Sequence, residues 1–206
     1  MAETYSARTL NVDSTEIVRL SDPARGIEVS ICPSMGNIAY DIRVNGRPIL
    51  MRPPDSLPDW RGKPSQAGNP FLAPWANRLD GDAYWANGKR YRLNPDAAAI
   101  RRDANGLPIH GLLLFASAWQ VTRINADRQA AEVTSTLEFW KHPEWMAQFP
   151  FAHTIELTYR LAGGTLEVRT AIHNHSTDPM PLVIGFHTWY QIPDAPRDRW
   201  QVRLPV

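Results

Sequence analysis

From Phe151 to Leu161 the chain reads FAHTIELTYRL, and its side chains alternate without a break. Phe151, His153, Ile155, Leu157, Tyr159 and Leu161 share one face; Ala152, Thr154, Glu156, Thr158 and Arg160 share the other. A period of two puts successive side chains on opposite sides of an extended backbone, so this segment is predicted as a strand with its apolar face on a core. Gly163-Gly164 turns the chain, and Thr165–Asn174 returns as the antiparallel partner.

The same pattern of short runs and tight turns recurs along the chain. Ile17–Leu20 and Ile27–Cys32 are apolar runs on either side of an Asp-Pro-Ala-Arg-Gly turn. Asn45-Gly46 and Asn87-Gly88 are hairpin signals, because both residue types tolerate positive φ. Phe115–Ile124 and Ala130–Trp140 form a further expected pair, and Met180–Tyr190 is the last expected strand. No amphipathic helix stands out, and 18 prolines in 206 residues imply extensive ordered loops. Six of those prolines lie between Arg52 and Trp75, so a long, proline-stiffened functional loop is expected there. Many antiparallel strands with short polar turns argue for an all-β fold, a large antiparallel β-sandwich in a single domain over 1–206.

Charge excludes some partners. Lysine plus arginine (22) nearly balance aspartate plus glutamate (21), with no basic run, so no nucleic-acid partner is expected. The N-terminal residues have no apolar core for a secretion signal, and no stretch approaches the roughly 18 apolar residues of a membrane span. A cytoplasmic protein with no membrane partner is the expectation. Cys32 is the only cysteine, which rules out an internal disulfide or a multi-cysteine metal site within the chain. His173 and His175 share strand parity, but no third ligand stands at a suggestive spacing, so no metal is assigned.

Three places can carry chemistry. Asn77-Arg78 closes the proline-rich loop, and a guanidinium offers a rigid fork of donors to a row of oxygens or, equally, to backbone carbonyls. His110, in NGLPIHG, sits between a proline-containing turn and Gly111, where it can meet a ligand or hold the turn. His187 lies in IGFHTWY, with Gly185 and Trp189 on its own strand face. Gly185 would leave room beside the imidazole, whose ordinary pKa suits a general acid; a packed core histidine is the alternative. Both faces of this strand are largely apolar, so it is expected to be covered on both sides.

The order of these pieces resembles the aldose 1-epimerase (galactose mutarotase-like) family. The matching elements are ICPSMGNIAYDIRVNGRPIL, NPFLAPWANRLDG, AYWANGKRYRL, NGLPIHG, an AWQV strand, FPFAHTIELTYRL with GGTLEVRTAIHN, and PLVIGFHTWY. The resemblance implies a galactose mutarotase-like supersandwich that interconverts the α and β anomers of a free aldose by acid/base ring opening, without cofactor. It implies a catalytic role for His187 as the acid that protonates the ring oxygen. His110 and Arg78 become sugar-binding residues, with Asn77 and Trp189 beside them. Thr188 stands where the family has proline, and Leu112 where it has a second glycine.

The family's catalytic glutamate lies well downstream of the acid histidine, and the chain ends at Val206. Glu138, Glu156 and Glu167 match nothing in that role, so the sandwich is expected to lack its C-terminal strands. Two alternatives stay open: a non-catalytic carbohydrate-binding sandwich, and a hexose-6-phosphate 1-epimerase with Arg101-Arg102 near the cleft. The expected partner is a small-molecule aldohexose, and the expected state a monomer or homodimer.

Overall fold

The computed structural model describes residues 4–53, 56–62, 65 and 67–203. Its first sheet is antiparallel and follows chain order: β1 (Ser6–Val12), β2 (Thr15–Asp22), β3 (Ile27–Cys32), β4 (Ile38–Val44) and β5 (Arg47–Pro48). A short helix α1 (Leu57–Gly62) and strand β6 (Phe71–Leu72) follow. Next comes the hairpin of β7 (Ala83–Ala86) and β8 (Lys89–Arg92). The second large sheet holds β9 (Gln120–Ala126), β10 (Ala131–Glu138), β11 (His153–Ala162) and β12 (Thr165–Asn174), in the order β12-β11-β10-β9. A one-turn helix α2 (Pro143–Met146) bridges β10 and β11, and β13 (Gly185–Phe186) pairs with β6.

The turns follow from their residues. Asn45 and Gly46 adopt φ of 51° and 77°, and Asn87 and Gly88 adopt 51° and 70°, the left-handed pair that matches strand twist. Strand β1 carries no such signal. It turns into β2 through Asp13 and Ser14, two non-glycine residues at φ 50° and 59°, so sequence reasoning passed over it.

The two sheets pack face to face. From the first, Val18, Leu20, Val29 and Ile31 meet the alternating row Ile155, Leu157, Tyr159 and Leu161 on β11, all completely buried. Each such side chain contributes about 1.5–3 kcal/mol by leaving water. The first sheet is also covered on its other face, where Ile17, Cys32, Ile38 and Tyr40 meet Leu57 and Trp60 of α1. That double burial fits the apolar residues found on both faces of β2 and β4, such as the adjacent Ile17 and Val18, and Ile38 and Ala39, all buried. Polar groups tie the layers together: the Tyr159 hydroxyl donates to the Asn37 carbonyl at 2.8 Å, and Ser135 Oγ donates to Asn37 Oδ1 at 3.0 Å.

Two expectations need correction. The Arg52–Trp75 segment is not all loop: Ser56 Oγ accepts the Asp59 backbone N–H and donates to its carboxylate, starting α1 just before Pro58. Proline is tolerated there because first-turn N–H groups have no intrahelical acceptor. Met180–Tyr190 is regular strand only at β13, and it is not covered on both sides. Among the described residues its regular strand pairs only with the two-residue β6, beyond which Tyr190 makes an isolated bridge to Leu50, and Leu182, Val183 and Tyr190 are 57%, 55% and 66% exposed. Among the described residues no helix is long and apolar enough to cross a membrane. His175 shares a hydrogen bond with Thr154 at 2.8 Å, and His173 faces the Glu156 carboxylate at 3.8 Å.

Candidate functional site

Three separate stretches are laced together by backbone hydrogen bonds. Arg78 bridges Ile109 antiparallel, the His110 N–H donates to the Asn77 carbonyl at 3.1 Å, and the Leu79 N–H donates to the Pro108 carbonyl at 3.0 Å. On the other side, the His187 N–H donates to the Pro70 carbonyl at 3.0 Å, and the Trp189 N–H to the Gly68 carbonyl at 2.9 Å. Thr188, the residue that departs from the family pattern, donates its hydroxyl to Asn69 Oδ1 at 2.6 Å and pins the stretch between His187 and Trp189.

The result is one cleft lined by His187, His110, Arg78 and Trp189, with Leu72, Ile109 and Phe115 supplying apolar wall. The His110 and His187 rings stand edge to face with centroids 5.1 Å apart. The His187 imidazole stacks on Trp189 at 5.2 Å and 15°, which fixes its plane. His110 is buried, and that burial holds its pKa below the ordinary imidazole value, so the ring is neutral at pH 7. His187 is half-buried and reaches the same space from the opposite wall.

The glycines act differently from the sequence reading. Gly111, at φ 70°, packs on backbone: a Cβ there would lie 2.0 Å from the Ala73 carbonyl oxygen, so the close approach is to protein and not to a ligand. The space beside Gly185 is likewise filled, since its Cβ would meet the Ala76 methyl at 3.2 Å. His110 itself holds φ 66°, an uncommon conformation for a residue with a Cβ, and one that costs energy unless the surroundings impose it.

Arg78 donates through Nε to Asp103 at 2.6 Å and reaches Asn77 Oδ1 at 3.3 Å. Asn77 is thus behind the arginine and does not line the cleft. Hydrogen bonding from Arg78 holds the Asp103 carboxyl below its ordinary pKa. Arg102 is committed to Asp82 and the Gly106 carbonyl, both at 2.7 Å. Arg101 lies over the Phe115 ring at 5.2 Å and, among the described residues, has no ion pair.

Asp103 is the only carboxylate lining the cleft among the described residues, and sequence reasoning did not single it out. A signal was present in Asp103-Ala-Asn-Gly106, an aspartate opening a glycine turn. Glu138, Glu156 and Glu167 lie on the second sheet and pair with Lys141, His173 and Arg169. Among the described residues no group of three histidine, cysteine or acidic side chains is placed to hold a metal ion.

This fold has relatives. The family model for aldose 1-epimerase matches residues 16–204, and the chain belongs to that family. The uncharacterized protein YihR of Escherichia coli (strain K12) is 27% identical over 136 residues, which are 66% of this chain and 40% of YihR. A galactose mutarotase-like protein from Clostridium acetobutylicum superposes with a TM-score of 0.80 at 24% identity, over 92% of this chain and 55% of its own. A galactose mutarotase related enzyme from Lactobacillus acidophilus superposes at 0.61 with 19% identity, over 91% of this chain and 50% of its own. The chain therefore spans 40% of YihR and about half the length of these two solved structures.

Proposed function

We propose that the cleft binds a free aldose and interconverts its anomers by ring opening, with His187 as general acid. The observation that carries this reading is the convergence of Arg78, His110 and His187, far apart in sequence, on one cleft. In ring opening, the His187 imidazolium delivers a proton to the ring oxygen as the C1–ring oxygen bond breaks. The anomeric hydroxyl gives its proton to water as C1 becomes an aldehyde; rotation about C1–C2 and the reverse steps, with the proton returned, give the other anomer. An imidazole can give and retake that proton in each cycle. Neutral His110 and the Arg78 fork hold sugar oxygens, and Trp189 keeps His187 in plane. The chemistry uses no cofactor.

A second reading, sugar binding without turnover, is favoured by one fact. The anomeric proton needs an acceptor, and the cleft's one described carboxylate, Asp103, is engaged by Arg78 and by two backbone N–H groups. Arg101, without an ion pair among the described residues, makes hexose 6-phosphates part of the substrate question.

The deciding test is polarimetry of freshly dissolved α-glucose, α-galactose and their 6-phosphates, with sugar binding followed in parallel by NMR. We expect anomerisation faster than buffer with at least one sugar. Binding without acceleration would support the second reading, and neither binding nor acceleration across the panel would overturn both.

A further inference from the structure

We infer that Asp103 is a positioning residue that sets Arg78 and the His110 turn as one unit; this rests on the sugar-site reading above. Its two carboxylate oxygens have separate tasks. Oδ1 accepts the backbone N–H groups of Asn105 and Leu107, both at 2.9 Å, which winds residues 103–107 into a closed turn. Backbone bonds from Asp103 N–H to the Leu107 carbonyl and from Gly106 N–H to the Asp103 carbonyl, both at 3.0 Å, complete that turn. Oδ2 accepts from Arg78 Nε at 2.6 Å. The turn leads directly to Ile109, which bridges Arg78, and to His110, whose N–H is held by Asn77.

The exposures say which partner is fixed. The Asp103 side chain is 6% exposed and locked to backbone, whereas the Arg78 side chain is 51% exposed. A long, solvated arginine samples many rotamers, and each one frozen on sugar binding subtracts from affinity. Bonding Nε to a backbone-anchored carboxylate settles the guanidinium plane beforehand. Neither terminal nitrogen is used by Asp103, and among the described residues only one makes a long contact, to Asn77, so both are available to a ligand in the cleft that Arg78 lines. A charge-assisted bond to an arginine is strong and directional, so the carboxylate serves as a mount and does not touch the sugar.

The test uses two substitutions that keep the turn and remove the mount. Asp103→Asn retains one carbonyl oxygen for the Asn105 and Leu107 N–H groups but presents an amide N–H₂ to Arg78. Asp103→Ser retains an Oγ acceptor for the turn and is too short to reach the guanidinium. Without sugar, the Arg78 Nε–H NMR resonance should be sharp and slowly exchanging in the wild type, and broadened or lost in both variants. With D-galactose and D-glucose as probes, each variant should weaken binding roughly tenfold. In an Arg78→Ala background the same substitutions should weaken it no further.

Equal weakening in both backgrounds, or a protected Nε–H in both variants, overturns the inference. If Arg78→Ala alone leaves binding unchanged, the sugar-site assignment of Arg78 fails, while the Nε–H signal still judges the mount.

Discussion

The imidazoles of His110, His153 and His187 differ by what surrounds them. His153 is 2% exposed, stacks on Phe139 at 4.2 Å and has Nδ1 2.7 Å from the Phe151 carbonyl, so it is a core residue. Burial pushes its pKa below the ordinary 6.5, as it does for His110. In the pH range below 6.5 the unfolded chain therefore binds protons that the folded chain refuses. The stability these neutral rings allow is complete above that value and is lost as pH falls towards the lower folded values. Urea midpoints should drop between about pH 7.5 and about pH 5, and His153→Gln should reduce that drop. An unchanged slope in the variant would place the effect elsewhere. His187 is the exception among the three: it is half-buried, faces the cleft and stacks on an indole instead of core phenylalanines.

At the scale of elements, α1 matters beyond its six residues. Trp60 is 1% exposed, donates Nε1–H to the Ser65 carbonyl at 2.9 Å and meets Phe115 edge to face at 5.9 Å. Phe115 in turn carries Arg101 at the cleft. Trp60→Ala should cost about 3–5 kcal/mol in urea unfolding, the usual toll for removing a buried aromatic. A loss below about 1 kcal/mol would mean that the second core is not cooperative with the first. Strand β11 and the Asn-Gly hairpins were legible in the sequence because their information is local: a period of two, or a residue pair that tolerates positive φ. The helix was hidden by neighbouring prolines, although Ser56 and Asp59 form a recognisable cap. The Met180–Tyr190 run misled for the opposite reason: apolar content says that a segment seeks burial, not that a partner strand is long enough to provide it.

At the scale of the molecule, the site depends on convergence that no window of sequence reports. The family resemblance linked Arg78, His110 and His187, and the fold brings them together through the lacing of 68–79, 101–113 and 185–190. The link between Arg78 and Asp103 spans 25 positions with no periodic signal, so it became visible only in three dimensions. The sheet sandwich also leaves apolar side chains outward near the site, Leu182, Val183 and Tyr190 among them, in a chain that spans about half the length of its solved neighbours. The central claim is that His187 is the acid of an aldose cleft. Magnetisation-transfer NMR on equilibrated galactose reads the exchange between its anomers directly, beside wild-type protein and beside His187→Asn at equal sugar occupancy. The account predicts enhanced exchange with the wild type and a fall of about 10²–10⁴-fold, to the buffer rate at the limit, in a folded variant that still binds sugar. Exchange retained at the wild-type rate in His187→Asn would contradict it.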